Sequence, residues 1–290
     1  MKNPPSPVQT VVLTGLTLCA FAANSLLTRM ALGGGAIDAA SFTTLRLGSG
    51  AAMLLAICHF TQVKQPNLAT GSKRPHKWPA ALMLFLYAVT FSFAYLQMAT
   101  GTGALILFGT VQVTMILVAL KEGEKPVAWE WVGLLLALVG LVYLVSPGLA
   151  APPLGAAALM GVAGIAWGIY SLLGRGSTDP IANTAGNFVR AVPFAAGVSC
   201  VSWQNFQLSQ AGIVLALLSG AIASGVGYSL WYSILRALTA TRAATLQLSV
   251  PVIAAVGGIV FLQEAMSLRL AIAAVMILGG IGIATLGRKR

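Results

Sequence analysis

Long apolar segments follow one another along the whole chain, and they limit what it can fold into. A helix needs about 20 consecutive apolar residues to cross about 30 Å of hydrocarbon. Ten such segments occur, at residues 8–28, 40–60, 79–98, 102–120, 128–146, 154–174, 181–202, 211–236, 240–262 and 268–286. Short breaks rich in Gly, Pro and charged residues separate them. The sequence therefore predicts an all-α membrane protein with ten transmembrane helices, in which consecutive helices are antiparallel.

The composition argues against a soluble fold. Hydrophobic residues make up 58% of the chain and charged residues 8%, with a mean hydropathy of +0.88. A soluble domain usually carries about 25% charged residues, because it needs a polar exterior. The cysteines Cys19, Cys58 and Cys200 lie inside apolar segments, which indicates neither a disulfide nor a metal site.

The basic residues set the predicted orientation in the membrane. The 17 Lys and Arg exceed the 6 Asp and Glu, for a net charge of +11. They lie between apolar segments rather than on one polar face, which argues against nucleic-acid binding. If the N-terminus is cytoplasmic, the opposite side of the membrane carries only Arg29 and Arg269 outside the spans. The cytoplasmic side then carries thirteen basic residues: Lys2, Lys64, Lys73, Arg74, Lys77, Lys121, Lys125, Arg175, Arg236, Arg242, Arg288, Lys289 and Arg290. The positive-inside rule thus predicts cytoplasmic termini, in a bacterial inner membrane.

The two halves of the chain resemble each other. Residues 15–29 align with residues 161–175, and six identities recur: Gly15, Ala20, Ser25, Leu26, Leu27 and Arg29 match Gly161, Ala166, Ser171, Leu172, Leu173 and Arg175. This match also argues against reading the N-terminal segment as a signal peptide. Arg46 matches Arg190, and Glu124 matches Glu264. Because each half has an odd number of spans, the second half is predicted to be inverted, giving repeats at 1–147 and 148–290. Inverted repeats are typical of alternating-access transporters, whose site lies between the halves.

These features resemble the EamA-type drug/metabolite transporters. The resemblance rests on the five-plus-five spans, a polar residue near the middle of spans one and six, the Arg pair, and the Gly-Glu of residues 123–124. It covers nearly the whole chain, although Gln263 replaces the Gly before Glu264 and the first half has no counterpart of Pro251. Within the family the chain is most similar to exporters of aromatic and other apolar amino acids. The resemblance implies that spans one to four and six to nine line the cavity, with spans five and ten to one side.

The carboxylates exclude several chemistries. All six lie in loops or at span ends: Asp38, Glu122, Glu124, Glu130, Asp179 and Glu264. Cation/proton antiporters use a carboxylate inside the membrane, so this mechanism and carboxylate-based proton coupling are disfavoured. The spans also contain no nucleophile–base pair and no carboxylate pair, which disfavours an enzyme. We predict no cofactor and no metal.

Two arginines lie inside predicted spans. A charge at the bilayer centre costs about 2.5–3.5 kcal/mol on insertion scales, so Arg46 and Arg190 should face water or a partner. Each guanidinium could bind an anionic group of the substrate. Alternatively, each could tie helix carbonyls together or extend its charge to the interface.

Aromatic and amide side chains within the spans predict an amphiphilic cavity. Aromatic residues cluster in spans one, three, six and eight, Asn24 and Tyr170 occupy matching positions, and Gln97, Gln112 and Gln247 add amides that we expect to be buried. The predicted substrate-binding residues are Asn24, Arg46, Tyr87, Phe91, Tyr95, Trp167, Tyr170, Arg190, Trp231 and Gln247. Packing between helices or contact with lipid is the alternative role for these aromatics. Trp78, Trp129, Trp131, Trp203 and Tyr143 lie near span ends and are expected to anchor the interface.

The sequence thus favours a secondary transporter that exports small amphiphilic metabolites, above all amino acids with aromatic or apolar side chains. The alternatives are an exporter of other metabolites or drugs, a sugar-phosphate or nucleotide-sugar carrier, an intramembrane enzyme, and a helper subunit of a larger complex. A sugar phosphate would need several basic residues at the site. The expected partners are a small-molecule substrate and the lipid bilayer, and the oligomeric state is left open.

Overall fold

Helices account for nearly all of the residues that the structure describes. The computed structural model describes residues 7–61, 77–121, 127–148, 151–174, 177, 179–235, 246–247 and 249–286. Its helices are α1 Pro7–Gly33, α2 Ala39–Phe60, α3 Lys77–Tyr95, α4 Thr100–Lys121, α5 Ala128–Val145, α6 Leu154–Leu173, α7 Pro180–Val201, α8, α9 Ser249–Leu262 and α10 Leu268–Leu286. Helix α8 has three consecutive segments: α-helical Gln210–Leu217, π-helical Leu218–Val226 and α-helical Gly227–Leu235. The described ranges contain no β-strand.

Most of the helices are long and apolar enough to cross a membrane. Seven described helices meet both conditions, namely α1 to α6 and α8, while α9 and α10 are shorter apolar helices. Helix α7 is long but carries Asn183, Asn187 and Arg190. The predicted all-α fold is confirmed, and the count of ten spans stays a prediction. Most of the predicted cytoplasmic charges lie outside the described residues, as do Glu122 and Glu124. These charges are Lys2, Lys64, Lys73, Arg74, Lys125, Arg175, Arg236, Arg242, Arg288, Lys289 and Arg290.

Side-chain caps fix where several helices begin. The Asp38 carboxylate accepts a hydrogen bond from Ser41 N at 2.8 Å and caps α2. Asp179 caps α7 by accepting from Ala182 N at 3.3 Å, and Ser209 caps α8 by accepting from Gly212 N at 3.0 Å. Each cap satisfies an N–H group that the first turn of a helix leaves without a partner. The polar residues between apolar segments therefore help to determine where these three helices begin.

The helices pack around α2 and α3. Helix α2 contacts α7 and the π-helical segment of α8, while α3 contacts α6 and α7. Helix α1 contacts α8 and α9, and α4 contacts α6 and α9. Helix α5 packs along α10, where a Cβ on Gly133 would lie 2.3 Å from the carbonyl oxygen of Gly280. Such glycines let two helix backbones approach each other closely.

Candidate functional site

A small cavity of about 30 Å³ lies between α1, α3, α4, α6 and α8. This volume is below the range of about 300–1,000 Å³ that small-molecule sites occupy, so the surrounding side chains must move to admit a substrate. Its aromatic side chains are Phe21, Tyr87, Phe91, Phe108, Trp167 and Tyr228, and its polar ones are Asn24, Ser25, Ser224 and Gln247. The wall is therefore amphiphilic.

The aromatic wall is a chain of touching rings that connects several helices. Trp167 of α6 lies 4.8 Å from Tyr87 of α3 and 5.4 Å from Tyr228 of α8, measured between ring centroids. Its ring is stacked on Tyr228 at an interplanar angle of 19°. Phe21 of α1 contacts both Tyr228 at 5.7 Å and Trp231 at 5.9 Å. Each such pair contributes about 0.5–1.5 kcal/mol beyond the burial of its surface, so these rings also fix the helices that carry them.

A polar network lies beside the aromatic wall and joins four helices. The amide of Asn24 donates to the hydroxyl of Tyr87 at 3.3 Å, and the hydroxyl of Ser219 donates to Asn24 Oδ1 at 2.6 Å. Arg46 Nη2 donates to the same Tyr87 hydroxyl at 3.0 Å. Asn24, Arg46 and Ser219 are all buried, so these bonds replace some of the contacts with water that the three side chains lose.

The π-helical segment of α8 brings Ser219 into this network. Residues Leu218–Val226 are π-helical, and within this segment the hydroxyl of Ser224 donates to the carbonyl of Ser219 at 2.9 Å. A Cβ on Gly220 would lie 2.0 Å from Ser49 Oγ and 2.1 Å from the carbonyl oxygen of Arg46. The backbone of α8 therefore touches the backbone of α2 at this point, and only glycine fits between them. π-helical turns are rare and occur often at functional sites.

The two predicted span arginines have different surroundings. Arg46 is 2% exposed, and its guanidinium lies over the rings of Tyr87 at 5.2 Å and Phe91 at 5.0 Å. Its Nε and Nη1 atoms have no hydrogen-bond partner among the described residues. Arg190 on α7 is half-buried and is not among the residues that line the cavity. The structure thus connects Arg46 to the cavity wall through Tyr87 and Phe91.

Of the remaining predicted site residues, one lines the cavity, two lie behind its wall and one lies outside it. Gln247 lines the cavity, while Tyr170 and Trp231 are buried and contact the wall residues Trp167 and Phe21. Tyr95 is fully buried outside the cavity, and its hydroxyl donates to the carbonyl of Thr100 at 3.2 Å.

The burial predicted for one amide side chain, that of Gln97, is wrong, and the predicted set of cavity-wall residues is incomplete. Gln97, which we expected to be buried, is exposed because it lies in the α3–α4 connection, whereas Gln112 is buried. The predicted site omitted Phe21, Phe108, Ser219 and Tyr228. For Phe21 and Tyr228 a signal existed, because both are aromatic and lie in spans expected to surround the site.

The comparisons with known proteins identify the family. The sequence profile of the EamA-like transporter family matches residues 154–286. An uncharacterized protein of Pseudomonas aeruginosa is 50% identical over 275 residues, which cover 95% of this chain and 94% of that protein. The chain belongs to the EamA-like transporter family. It is therefore an integral membrane transporter of the drug/metabolite transporter superfamily, and the enzyme alternative falls away.

Two further similarities extend this result. The threonine/homoserine exporter RhtA of Salmonella typhimurium is 32% identical to this EamA-like chain over 161 residues, 52% of each chain. A crystal structure aligns with 98% of this chain and 100% of its own, with a TM-score of 0.66 at 19% sequence identity. The second similarity shows that the two proteins share a fold.

Polar contacts join the helices at one end of the EamA-like bundle. We call this end the first-loop face; it carries the α1–α2, α3–α4, α5–α6, α7–α8 and α9–α10 connections. Both oxygens of Glu264 accept from Thr100 N, at 3.0 and 2.9 Å, and Thr100 Oγ1 donates to Oε1 at 3.0 Å. Arg29 Nε lies 3.6 Å from the same carboxylate, and Arg29 Nη1 donates to the carbonyl of Tyr95 at 2.9 Å. The carboxylate sits at the start of α4, where the helix dipole favours an anion.

Further ties lie on the first-loop face. Asp38 N donates to the carbonyl of Gln207 at 2.9 Å, and Gln207 N donates to Asp38 Oδ2 at 3.2 Å. Arg269 donates to the carbonyls of Ser146 and Pro147, and its guanidinium lies over the ring of Tyr143 at 5.6 Å. Tyr143, which we expected at the lipid interface, thus also supports Arg269. The ties of Glu264, Asp38 and Arg269 each join residues before 148 to residues after it.

Proposed function

We propose that the protein exports small amphiphilic metabolites, above all amino acids with aromatic or apolar side chains. The observation that carries this proposal is the cavity wall, in which aromatic rings stand beside the Asn24–Tyr87–Ser219 network. Rings provide contact area for an apolar side chain, and a few polar groups orient the charged end of a ligand. The similarity to RhtA, a threonine/homoserine exporter, favours amino acids in general as the substrate class.

The charge of the cavity separates this proposal from its nearest alternative. A sugar phosphate or nucleotide sugar carries two or more negative charges and would need several basic groups. The described residues that line the cavity include no Lys or Arg. Export of other metabolites or drugs stays the second candidate, because an apolar wall would also accept other amphiphilic molecules.

We further propose that residues 1–147 and 148–290 are inverted repeats. Such a repeat exchanges α1 with α6, α2 with α7, α3 with α8, α4 with α9 and α5 with α10. If the repeat is correct, the contact between α3 and α6 must have a counterpart between α8 and α1. In the same way, the contact between α4 and α6 must have a counterpart between α9 and α1. Both members of each pair are observed. This packing supports the repeat inferred from the sequence, and ten membrane spans follow from it.

The repeat suggests transport by alternating access, in which the halves move against each other around the central cavity. With cytoplasmic termini in a bacterial inner membrane, the first-loop face is the extracytoplasmic face. The ties of Glu264, Asp38 and Arg269 join the halves there, so they hold that face closed. Release of substrate to the outside then requires these ties to break.

Replacement of Trp167 tests the central site. We expect Trp167→Ala to lower the flux of labelled phenylalanine or methionine in proteoliposomes about tenfold, because it removes a ring contact on a bound side chain and disturbs two wall contacts. Trp129→Ala is the control, since Trp129 is 63% exposed. Flux is normalised to folded protein.

Three results would count against the proposal. Normal flux in the Trp167→Ala variant would exclude the central aromatic site. Equal losses in both tryptophan variants would mean that the effect is not specific to the cavity. Transport of glucose 6-phosphate without transport of amino acids would exclude the substrate class while leaving the fold intact.

A further inference from the structure

Arg46 is a buried cation with spare hydrogen-bonding capacity. Its side chain is 2% exposed, and two of its three guanidinium nitrogens have no partner among the described residues. None of the four described carboxylates pairs with it, namely those of Asp38, Glu130, Asp179 and Glu264. A buried charge without an opposite charge is costly, so its presence needs an explanation.

Two other arginines of the described helices, Arg29 and Arg269, show what a structural role looks like. Arg29 donates to the carbonyls of Tyr95 and Leu96 and pairs with Glu264. Arg269 donates to the carbonyls of Ser146 and Pro147. In both cases the guanidinium ties segments together through several acceptors. Within the part of the chain that the structure describes, the guanidinium of Arg46 makes one hydrogen bond, to the hydroxyl of Tyr87, and therefore contributes little as a tie.

That single bond connects the charge to the cavity. The Tyr87 oxygen accepts from Arg46 at 3.0 Å and from Asn24 at 3.3 Å. Two donors thus occupy the acceptor sites of the hydroxyl, and no acceptor for its own proton is found among the described residues. Because Tyr87 lines the cavity, this proton is available to a ligand. A cation behind a phenol makes its O–H a stronger donor.

We infer that Tyr87 and Arg46 together form a binding site for the carboxylate of the substrate. The carboxylate accepts the O–H of Tyr87 at the cavity wall, and the guanidinium behind the ring supplies the opposite charge. The apolar part of the same molecule then lies along Trp167 and Tyr228. A singly charged carboxylate matches the single cation at this position. This inference deepens the proposed function, on which it rests, by specifying the anionic group that a substrate must carry.

Three ligands and the full-length protein in detergent test the inference. The ligands are phenylalanine, 3-phenylpropionate, which keeps the carboxylate but lacks the amine, and phenylalaninamide, which lacks the carboxylate. We expect the wild-type protein to bind each carboxylate about tenfold more tightly than the amide, the strength of one charge-assisted hydrogen bond. Arg46→Gln should bring this ratio close to one, Tyr87→Phe should lower it, and Arg46→Lys should keep part of it.

Stability distinguishes a binding role from a structural one. Arg46→Gln removes a buried charge and one hydrogen bond, so its thermal unfolding midpoint should be unchanged or higher. Arg269→Gln is the matched control, because it should lower the midpoint and leave the binding ratio unchanged. A lower midpoint for Arg46→Gln with equal weakening of all three ligands would overturn the inference in favour of a structural arginine.

The remaining outcomes separate the inference from the proposed function. If 3-phenylpropionate binding depends on Arg46 but no amino acid is transported, the carboxylate site stands and the amino-acid substrate class fails. If phenylalanine is transported and Arg46→Gln keeps the wild-type ratio, the proposed function stands and the carboxylate site fails. If neither carboxylate binds the wild-type protein, the inference is wrong.

Discussion

The arginines Arg29 and Arg46 lie on consecutive helices and serve as a comparison between two regions of the molecule. At the first-loop face, Arg29 meets a carboxylate and two carbonyls, and the carboxylate of Glu264 is itself held by Thr100. At the cavity, Arg46 meets two aromatic faces and one hydroxyl. We call Arg29 saturated because it has an acidic partner and two carbonyl acceptors, and Arg46 unsaturated because two of its guanidinium nitrogens have no partner among the described residues.

This difference indicates separate roles for the two regions. Saturated polar contacts between the predicted halves stabilise one arrangement of the helices, whatever the ligand. Unsaturated polar groups in the core contribute little until a ligand supplies the missing partner. We therefore expect variants at the first-loop face to change stability and transport rate equally for all substrates. Variants near Arg46 should change which substrates bind.

The largest effect is expected where α8 touches α2. Gly220→Ala would place a Cβ 2.1 Å from the carbonyl oxygen of Arg46, so α8 must move away from α2. Overpacking of this kind costs about 1–3 kcal/mol, and the shift would also displace Ser219 from Asn24. The matched control is Gly48→Ala on α2, where a Cβ would meet nothing within 4 Å and helix propensity should improve by about 0.5–1 kcal/mol.

Thermal unfolding of both glycine variants checks this expectation. We expect Gly220→Ala to unfold at a lower temperature than wild type and to bind carboxylate ligands less selectively. Gly48→Ala should unfold at the same temperature or higher. Equal midpoints for the two variants would show that α8 and α2 are not in tight contact, and the described geometry of the π-helical segment would then be wrong.

A smaller effect is expected at the first-loop face. A Cβ on Gly258 would lie 2.3 Å from Glu264 Oε2, whereas one on Gly257 would lie 3.4 Å from Leu26 Cδ2, an ordinary contact. Gly258→Ala should push the flexible Glu264 side chain off Thr100. It should cost less than Gly220→Ala, because the carboxylate can move and recover part of its hydrogen bonds, which are worth about 1.5–3 kcal/mol each when the group is charged. Gly257→Ala should cost less.

The selectivity of ligand binding tests whether Gly257 and Gly258 act differently from the glycine near Arg46. The ratio of phenylalanine to phenylalaninamide binding should be the same in Gly258→Ala, Gly257→Ala and the wild-type protein. A changed ratio in Gly258→Ala would mean that the first-loop face also influences ligand choice. The proposed separation of roles would then fail.

The apolar segments predicted the helices well, because the length needed to cross a bilayer leaves few alternatives. Helices α4 to α8 begin and end within two residues of the predicted segments. Helix α1 continues five residues past its predicted end, to Gly33, because Arg29 has partners there and need not end the helix. The first part of the predicted segment 240–262 lies outside the described residues, and α9 begins at Ser249.

The site was only partly predictable, because pair contacts depend on how helices pack. Repeat symmetry and residue type pointed to Tyr87 and Trp167, which do line the cavity. Nothing in the sequence marks the π-helical segment that brings Ser219 to Asn24. Arg29 and Glu264 were placed at loops of the same face, but their pairing depends on the packing of α1 beside α9. Tyr95 contacts Thr100, five residues away, rather than the cavity.

The smallest effect is expected for the ion pair itself. The side chains of Arg29 and Glu264 are 26% and 16% exposed and lie 3.6 Å apart, so water and salt screen their attraction. A double-mutant cycle with Arg29→Gln and Glu264→Gln should give a coupling energy of about 0.5–1 kcal/mol, typical of partly exposed pairs. The coupling should decrease as NaCl is raised from about 0.05 to 0.5 M, because the Debye length shortens. Both single variants should keep the wild-type ratio of phenylalanine to phenylalaninamide binding. A coupling near zero would assign the stability of this face to the Thr100 and carbonyl contacts, whereas a changed binding ratio would contradict the division between a saturated and an unsaturated arginine.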